Sequence, residues 1–346
     1  MFAKIVVALA PAPILLAVFG FLDIFRLMSR REFALLIGCG VLASVIAYPV
    51  SGRLIDTLPI GFSGYSRFVA PWIEEILKSV AIVGLYWFNR IGLKLDAAIS
   101  GFAVGVGFGV SENSFFLYEF PDMNLGVWLV RGLGTAVMHG GTTALFAVVS
   151  HELLERQTRA DADHWQFRPQ YFLPGLLVAV AIHTLFNQFP GRPLIAMVAS
   201  FLLIPMTLFL VFRWGESEGQ KWLASDMEAH HAQLEVLRRD GFRSPETGPL
   251  RVALERHLKG RVAEDLLFEY VELHTVLVLR AEEVLQRRSA GEKVAITDSD
   301  RNALARFNAL KKQLGKAVLM ALTPDLPFSR NDLWELRELE EDARRG

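Results

Sequence analysis

Glu74, Glu75, Glu112, His139 and His183 interrupt apolar runs where lipid-facing residues would be expected, and Lys78 and Arg131 lie in the same runs. Ionisable groups in a membrane segment are costly and mark function by default. Carboxylates beside imidazoles suit hydrolysis, because a carboxylate tuned by burial and neighbours can take a proton from water. His183 and Asn187, four residues apart, offer donors for a developing oxyanion. Ser111 and Ser114 flank Glu112 with nothing to activate them, so water is the expected nucleophile.

Helical spacing pairs several of these groups. Glu74 and Lys78 are four residues apart and Glu75 and Lys78 three, so either acid can take the lysine and leave the other free as a base. Phe108 and Glu112 share a face, as do His183 and Asn187. Asn113 follows Glu112 and can donate a hydrogen bond nearby.

The elements that carry these residues are membrane helices. The chain has 346 residues, 52% of them hydrophobic, and nearly all the long apolar runs precede Trp214. The expected fold is all-α: a polytopic bundle of about seven transmembrane helices over 1–214, then a soluble helical region over 215–346. The spans fall near 3–22, 33–51, 68–88, 95–118, 125–150, 171–188 and 194–214. Gly101, Gly105 and Gly109 form a small-residue face for close helix packing. A formal net charge of −1 gives no sign of a nucleic-acid partner, and Cys39, the only cysteine, excludes an internal disulfide. The run Ile5 to Leu22 is too long for the core of a cleavable signal peptide.

Basic residues set an orientation. Arg26, Arg30 and Arg31, then Arg90 and Lys94, then Arg156, Arg159 and Arg168 occupy alternate loops. The opposite loops hold Arg53 and Arg67, then none, then Arg192. The expectation is an N-terminus outside and a cytoplasmic tail. At 1.5 Å per residue, Glu74 and Glu75, Glu112 and His183 lie ~10, ~9 and ~8 Å below the outer ends of their spans. Arg131 falls near that level and His139 deeper.

The tail alternates as amphipathic helix: from Leu250 to about Gln286, over roughly 300–321, and from about Asp332 to Arg344, with polar breaks at Gly241–Pro249 and Ser289–Asp300. No catalytic constellation stands out in it, and its cytoplasmic partner is unknown. His230, His231 and His257 read as solvent-facing, as do His151 and His164 in the fifth loop.

Glu74-Glu75-x-x-Lys78, Phe108-x-x-x-Glu112-Asn113, His139 after Arg131, and His183-x-x-x-Asn187 resemble, in that order, the motifs of PrsW intramembrane proteases. That family lies in a clan with type II CAAX-prenyl proteases and bacteriocin-processing enzymes. The usual clan pattern is E-E-x-x-x-R, F-x-x-x-H and H-x-x-x-N. Here a lysine comes one residue early and a glutamate stands in the second motif, as in the PrsW branch. The resemblance covers roughly 60–190. It implies a peptidase of a bacterial inner membrane that cuts membrane-anchored proteins, with an anti-sigma factor as one substrate type. It also implies that Glu74 and Glu112 activate water, that His183 and Asn187 hold the oxyanion, that Glu75 pairs with Lys78, and that His139 completes the site.

If a metal binds, Glu74, Glu112, His139 and His183 would hold it, and zinc suits such donors. The absence of an H-E-x-x-H string and the nearness of Lys78 favour chemistry without a metal. Two other functions fit less of the pattern. A seven-span scaffold of the γ-secretase kind lacks the paired acids, and a proton- or cation-coupled transporter would show internal repeats.

Overall fold

A helix with glycine every fourth residue can approach a neighbour until backbone meets backbone, and here that approach fixes the centre of the bundle. The structure is a computed structural model that describes residues 1–22, 30–160, 168–188, 192–243, 261–289, 292, 294–322, 326 and 328–345. All regular structure among them is helical. The chain divides into two compact units at Gly215 and Glu216.

The first unit contains α1 (Phe2–Leu9), α2 (Pro11–Leu22), α3 (Arg30–Thr57), α4 (Gly61–Phe68), α5 (Ala70–Trp87), α6 (Lys94–Glu119) and α7 (Leu125–Val130). A π-helical segment (Arg131–Thr135) leads into α8 (Ala136–Ala160). A 3-10 turn (Pro169–Phe172), α9 (Leu173–Asn187) and the first part of α10 (Pro193–Asp240) follow. Helix α6 is enclosed, with every residue from Asp96 to Gly109 buried. A Cβ on Gly101 would lie 2.5 Å from the Thr143 carbonyl oxygen, and one on Gly105 would collide with the carbonyl oxygen of His139. The small-residue face expected from the sequence is thus the seam between α6 and α8.

Among the described residues four helical stretches are long and apolar enough to cross a membrane: Arg31–Thr57, Lys94–Glu119, Leu125–Gln157 and Pro169–Asn187. The unit is an integral membrane structure. Leu35, Leu42, Val45 and Ile46 of α3 are exposed, as lipid contact requires. The other three expected spans take different forms. The first is two short helices, with Ala10 between them and Pro11 opening the second. The third is α5, 18 residues long and carrying Glu74, Glu75 and Lys78. The last is the short apolar stretch Leu194–Leu210 of a longer helix. Among the described residues length and composition thus support four of the seven expected spans.

The second unit contains the rest of α10, a 3-10 turn (Gly241–Arg243), α11 (Arg261–Ser289), α12 (Asp298–Leu314), α13 (Lys316–Leu322) and α14 (Arg330–Arg345). Its core gathers Leu237, Leu267, Val271, Phe307, Leu310 and Leu339. Tyr270 stacks on Phe307 with ring centroids 5.0 Å apart. The Thr297 hydroxyl accepts from the Asp300 N–H and the Asp300 carboxylate accepts from the Thr297 N–H, which fixes the start of α12. The single helix expected over 300–321 is two, because Gly315 between them takes φ +81°. The Leu250–Gly260 portion of the expected long helix lies outside the described residues, as do Arg26, His164 and His257.

Two histidines expected in solvent are buried. His151 continues α8 beyond the expected end of its span and stacks near Tyr86. His230 sits on the face of α10 turned toward Glu282 of α11, with Nδ1 2.9 Å from its carboxylate; among the described residues of that set only His231 is exposed.

Gly105→Ala is expected to lower the melting temperature of the protein in detergent by the equivalent of ~1–3 kcal/mol. Gly38→Ala, with nothing within 4 Å of the added carbon, should leave it unchanged or raise it. His274 of α11 is buried against Phe328, and burial pushes it down to about 3, against the pull of Asp332 and with the help of Lys311. Its folded value lies below the unfolded one near 6.5, so its stabilising effect is present above pH ~6.5 and is lost as pH falls toward 3. Urea unfolding followed by circular dichroism should lose up to about 1.4 kcal/mol per pH unit from this group, and His274→Phe should flatten that slope.

Candidate active site

Lys78 is wholly buried in the first unit, and its ammonium needs partners there. Its Nζ donates to Glu75 Oε1 at 2.5 Å and lies 3.1 Å from His139 Nδ1. The Phe108 ring centroid is 5.0 Å from Nζ, and the same ring packs on His139. Glu75 Oε1 also accepts from Thr142 Oγ1 at 3.2 Å and faces His183 Nδ1 at 2.7 Å. Three elements, α5, α8 and α9, are thereby tied to one carboxylate oxygen.

These partners fix the two imidazoles in opposite tautomers. A carboxylate accepts, so His183 carries its proton on Nδ1 and presents a free Nε2, which lies 3.7 Å from Glu74 Oε2. An ammonium only donates, so His139 Nδ1 accepts and Nε2–H donates to Glu112 Oε2 at 3.1 Å. The two rings stand perpendicular with centroids 5.1 Å apart. Glu74 Oε2 is buried and has no hydrogen-bond partner, so Glu75 holds the lysine and Glu74 is the free acid.

Arg131 lies on the other side of Glu112, with Nη2 3.5 Å from Oε2 and the guanidinium over Phe116 at 3.7 Å. In an α-helix residues 131 and 139 would be turned about 80° apart. The wider π turn at Arg131–Thr135 rotates less per residue and lets both reach the same carboxylate. His139, set deeper by counting along a uniform helix, accordingly joins the cluster.

Two predicted residues point elsewhere. Asn113 Nδ2 donates to Thr135 Oγ1 at 2.9 Å and to the Ala8 carbonyl at 3.2 Å, holding helices together. Asn187 Nδ2 donates to the Ser66 carbonyl at 2.8 Å on α4, so it does not share the His183 environment. Thr142 went unnoticed in the sequence. Its spacing of three from His139 could have placed it on the same face, but hydroxyls are ordinary in such helices.

A family model described as PrsW family intramembrane metalloprotease matches residues 29–213. This chain belongs to the PrsW family. No curated protein and no solved structure gives a match. As a PrsW protein it is a membrane-embedded peptidase, and the matched segment contains every residue of the cluster. The family description implies a metal, and the donor set fits one. Glu74, His139 and His183 each offer a ligand atom within 4.8 Å of the others. Nitrogen and carboxylate oxygen are zinc's usual non-sulfur ligands. Glu75 behind His183 Nδ1 is the carboxylate that orients a ligating imidazole. Lys78 is neutralised by Glu75, which removes the electrostatic objection to a cation.

Glu75→Gln leaves a buried ammonium without its counter-charge and is expected to cost ~3–5 kcal/mol. Glu74→Gln removes an acid with no hydrogen-bond partner and, in metal-free protein, should hold its melting temperature. Thermal unfolding of both variants in detergent checks the difference.

Proposed function

We propose that this PrsW protein hydrolyses a peptide bond of a membrane-anchored protein with a metal-assisted water. The supporting observation is the unpartnered Glu74 oxygen beside the free His183 Nε2, with Glu75 and Lys78 holding the ring from behind. Glu74, His139 and His183 would hold the ion, His139 through an Nε2 that would first have to release the proton it donates to Glu112. When bound, a divalent cation such as zinc supplies Lewis acidity to the scissile carbonyl and eases ionisation of water.

The chain's own groups do the rest. Glu112, a quarter exposed, is reachable by water and takes its proton as general base. Arg131 would hold that carboxylate once His139 Nε2 is given to the ion. The Nε of Arg131, which has no hydrogen-bond partner, is a donor for the oxyanion, a role that Asn187, spent on Ser66, is not free to take. Lys78, Thr142 and Glu75 position the imidazoles.

Residues 1–214 form the protease domain in this reading and 215–346 a soluble helical tail. The alternation of basic loops supports an external N-terminus, a cytoplasmic tail and a site in the outer leaflet of a bacterial inner membrane. The family resemblance supports an anti-sigma-type anchor as one substrate. The scaffold and transporter readings gain no support from the cluster.

Glu112→Gln is expected to slow cleavage ~10²–10⁴-fold, read as loss of membrane-protein fragments in comparative proteomics of cells carrying either form. His183→Ala should lose cleavage and bind one ion per chain fewer than the unaltered purified protein. Full cleavage by a metal-stripped preparation would overturn the metal-assisted mechanism.

A further inference from the structure

The second unit buries a group of ionisable side chains that intramembrane proteolysis does not use. Asp226 and His230 stand four residues apart on α10, Glu282 lies on α11, and Asp332 and Glu335 stand three apart on α14. Relative exposure is 0% for Glu282, 2% for Asp332, 4% for Glu335 and 7% for His230. His230 Nδ1 is 2.9 Å from Glu282 Oε1 and its Nε2 is 3.5 Å from Asp332 Oδ2. Asp226, His230 and Asp332 each offer a ligand atom within 4.8 Å of the other two.

Charge and hydrogen bonding do not balance in this group. Four carboxylates lie around one imidazole, and His230 pairs with two of them. Asp332 is partly satisfied by Ser329. Asp226 Oδ2, Glu282 Oε2 and Glu335 Oε2 are buried without any hydrogen-bond partner. The Glu335 side chain is buried, lies three residues from Asp332 on α14, and is near enough to Glu282, Asp332 and Asp226 to interact electrostatically with them. A buried carboxylate without a partner is costly, and a bound cation removes that cost at several of them at once.

We infer that Asp226, His230, Glu282, Asp332 and Glu335 form a site for a divalent transition-metal ion in the second unit, built from none of the residues of the membrane cluster. Carboxylates suit hard ions such as manganese, and the imidazole shifts preference toward manganese, iron(II) or zinc over calcium and magnesium. The ligands come from three helices, so binding free energy becomes folding free energy of the unit. The ion would staple α10, α11 and α14 where their core is polar.

The test uses the full chain in detergent with Glu74→Gln and His183→Ala, which disable the membrane cluster. Equilibrium dialysis against Mn²⁺ or Zn²⁺, with metal analysis, is expected to retain one ion per chain. Adding Glu282→Gln and Asp332→Asn should weaken retention at least ~10-fold, the scale on which loss of even an outer partner lowers metal affinity. Retention well below one ion per chain before those changes, or undiminished after them, would overturn the site. Because loss of buried charges can itself unfold the tail, the chain with an unaltered tail is also loaded with Fe²⁺ and treated with ascorbate and peroxide. Backbone cuts gathered near Asp226, Glu282 and Asp332 are expected, and cuts that are absent or lie elsewhere refute it.

Discussion

A lysine with no solvent contact has to be neutralised where it lies, and the membrane unit is arranged around that requirement. Glu75 meets it and, with the same oxygen, receives Thr142 and His183. The pair is therefore both an electrostatic necessity and a positioning device. Without Glu75, Lys78 would compete for Glu74 and the imidazoles would lose the partners that set their tautomers. A buried pair of this kind adds little net stability over an apolar replacement, so its value lies in the geometry it imposes.

That geometry also depends on how closely the helices approach. The cluster draws on α5, α6, α8 and α9, and α6 reaches α8 only because Gly101 and Gly105 carry no side chain. The residue whose carbonyl Gly105 meets is His139, so the packing contact and the reactive ring belong to one position. The π segment supplies the remaining adjustment, turning Arg131 and His139 toward Glu112.

Much of the membrane cluster could be read from residue types and spacing. Glutamate, lysine and histidine are so costly in apolar helices that Glu74, Glu75, Lys78, Glu112 and His183 stand out without coordinates. Spacing allowed both Glu74 and Glu75 to pair with Lys78, and only three-dimensional packing distinguishes them. Asn113 and Asn187 carry the same polar signal but serve neighbouring backbone carbonyls, a distinction that lies in tertiary contacts. The π turn has no sequence mark, so the shared reach of Arg131 and His139 to Glu112 could not be read from spacing. In the tail the amphipathic period suggested helices, but it gave no warning that His230 and four acids would turn inward, because charged residues on a helix are usually solvated.

The fit of Gly105 against the His139 backbone has an evolutionary consequence. Descendants of this sequence can hardly vary the seam between α6 and α8, since even one methyl group would displace the imidazole. Adaptation to new protein clients must instead draw on the lipid-facing rims of α3 and α5, where exposed side chains can be exchanged without disturbing the reactive interior.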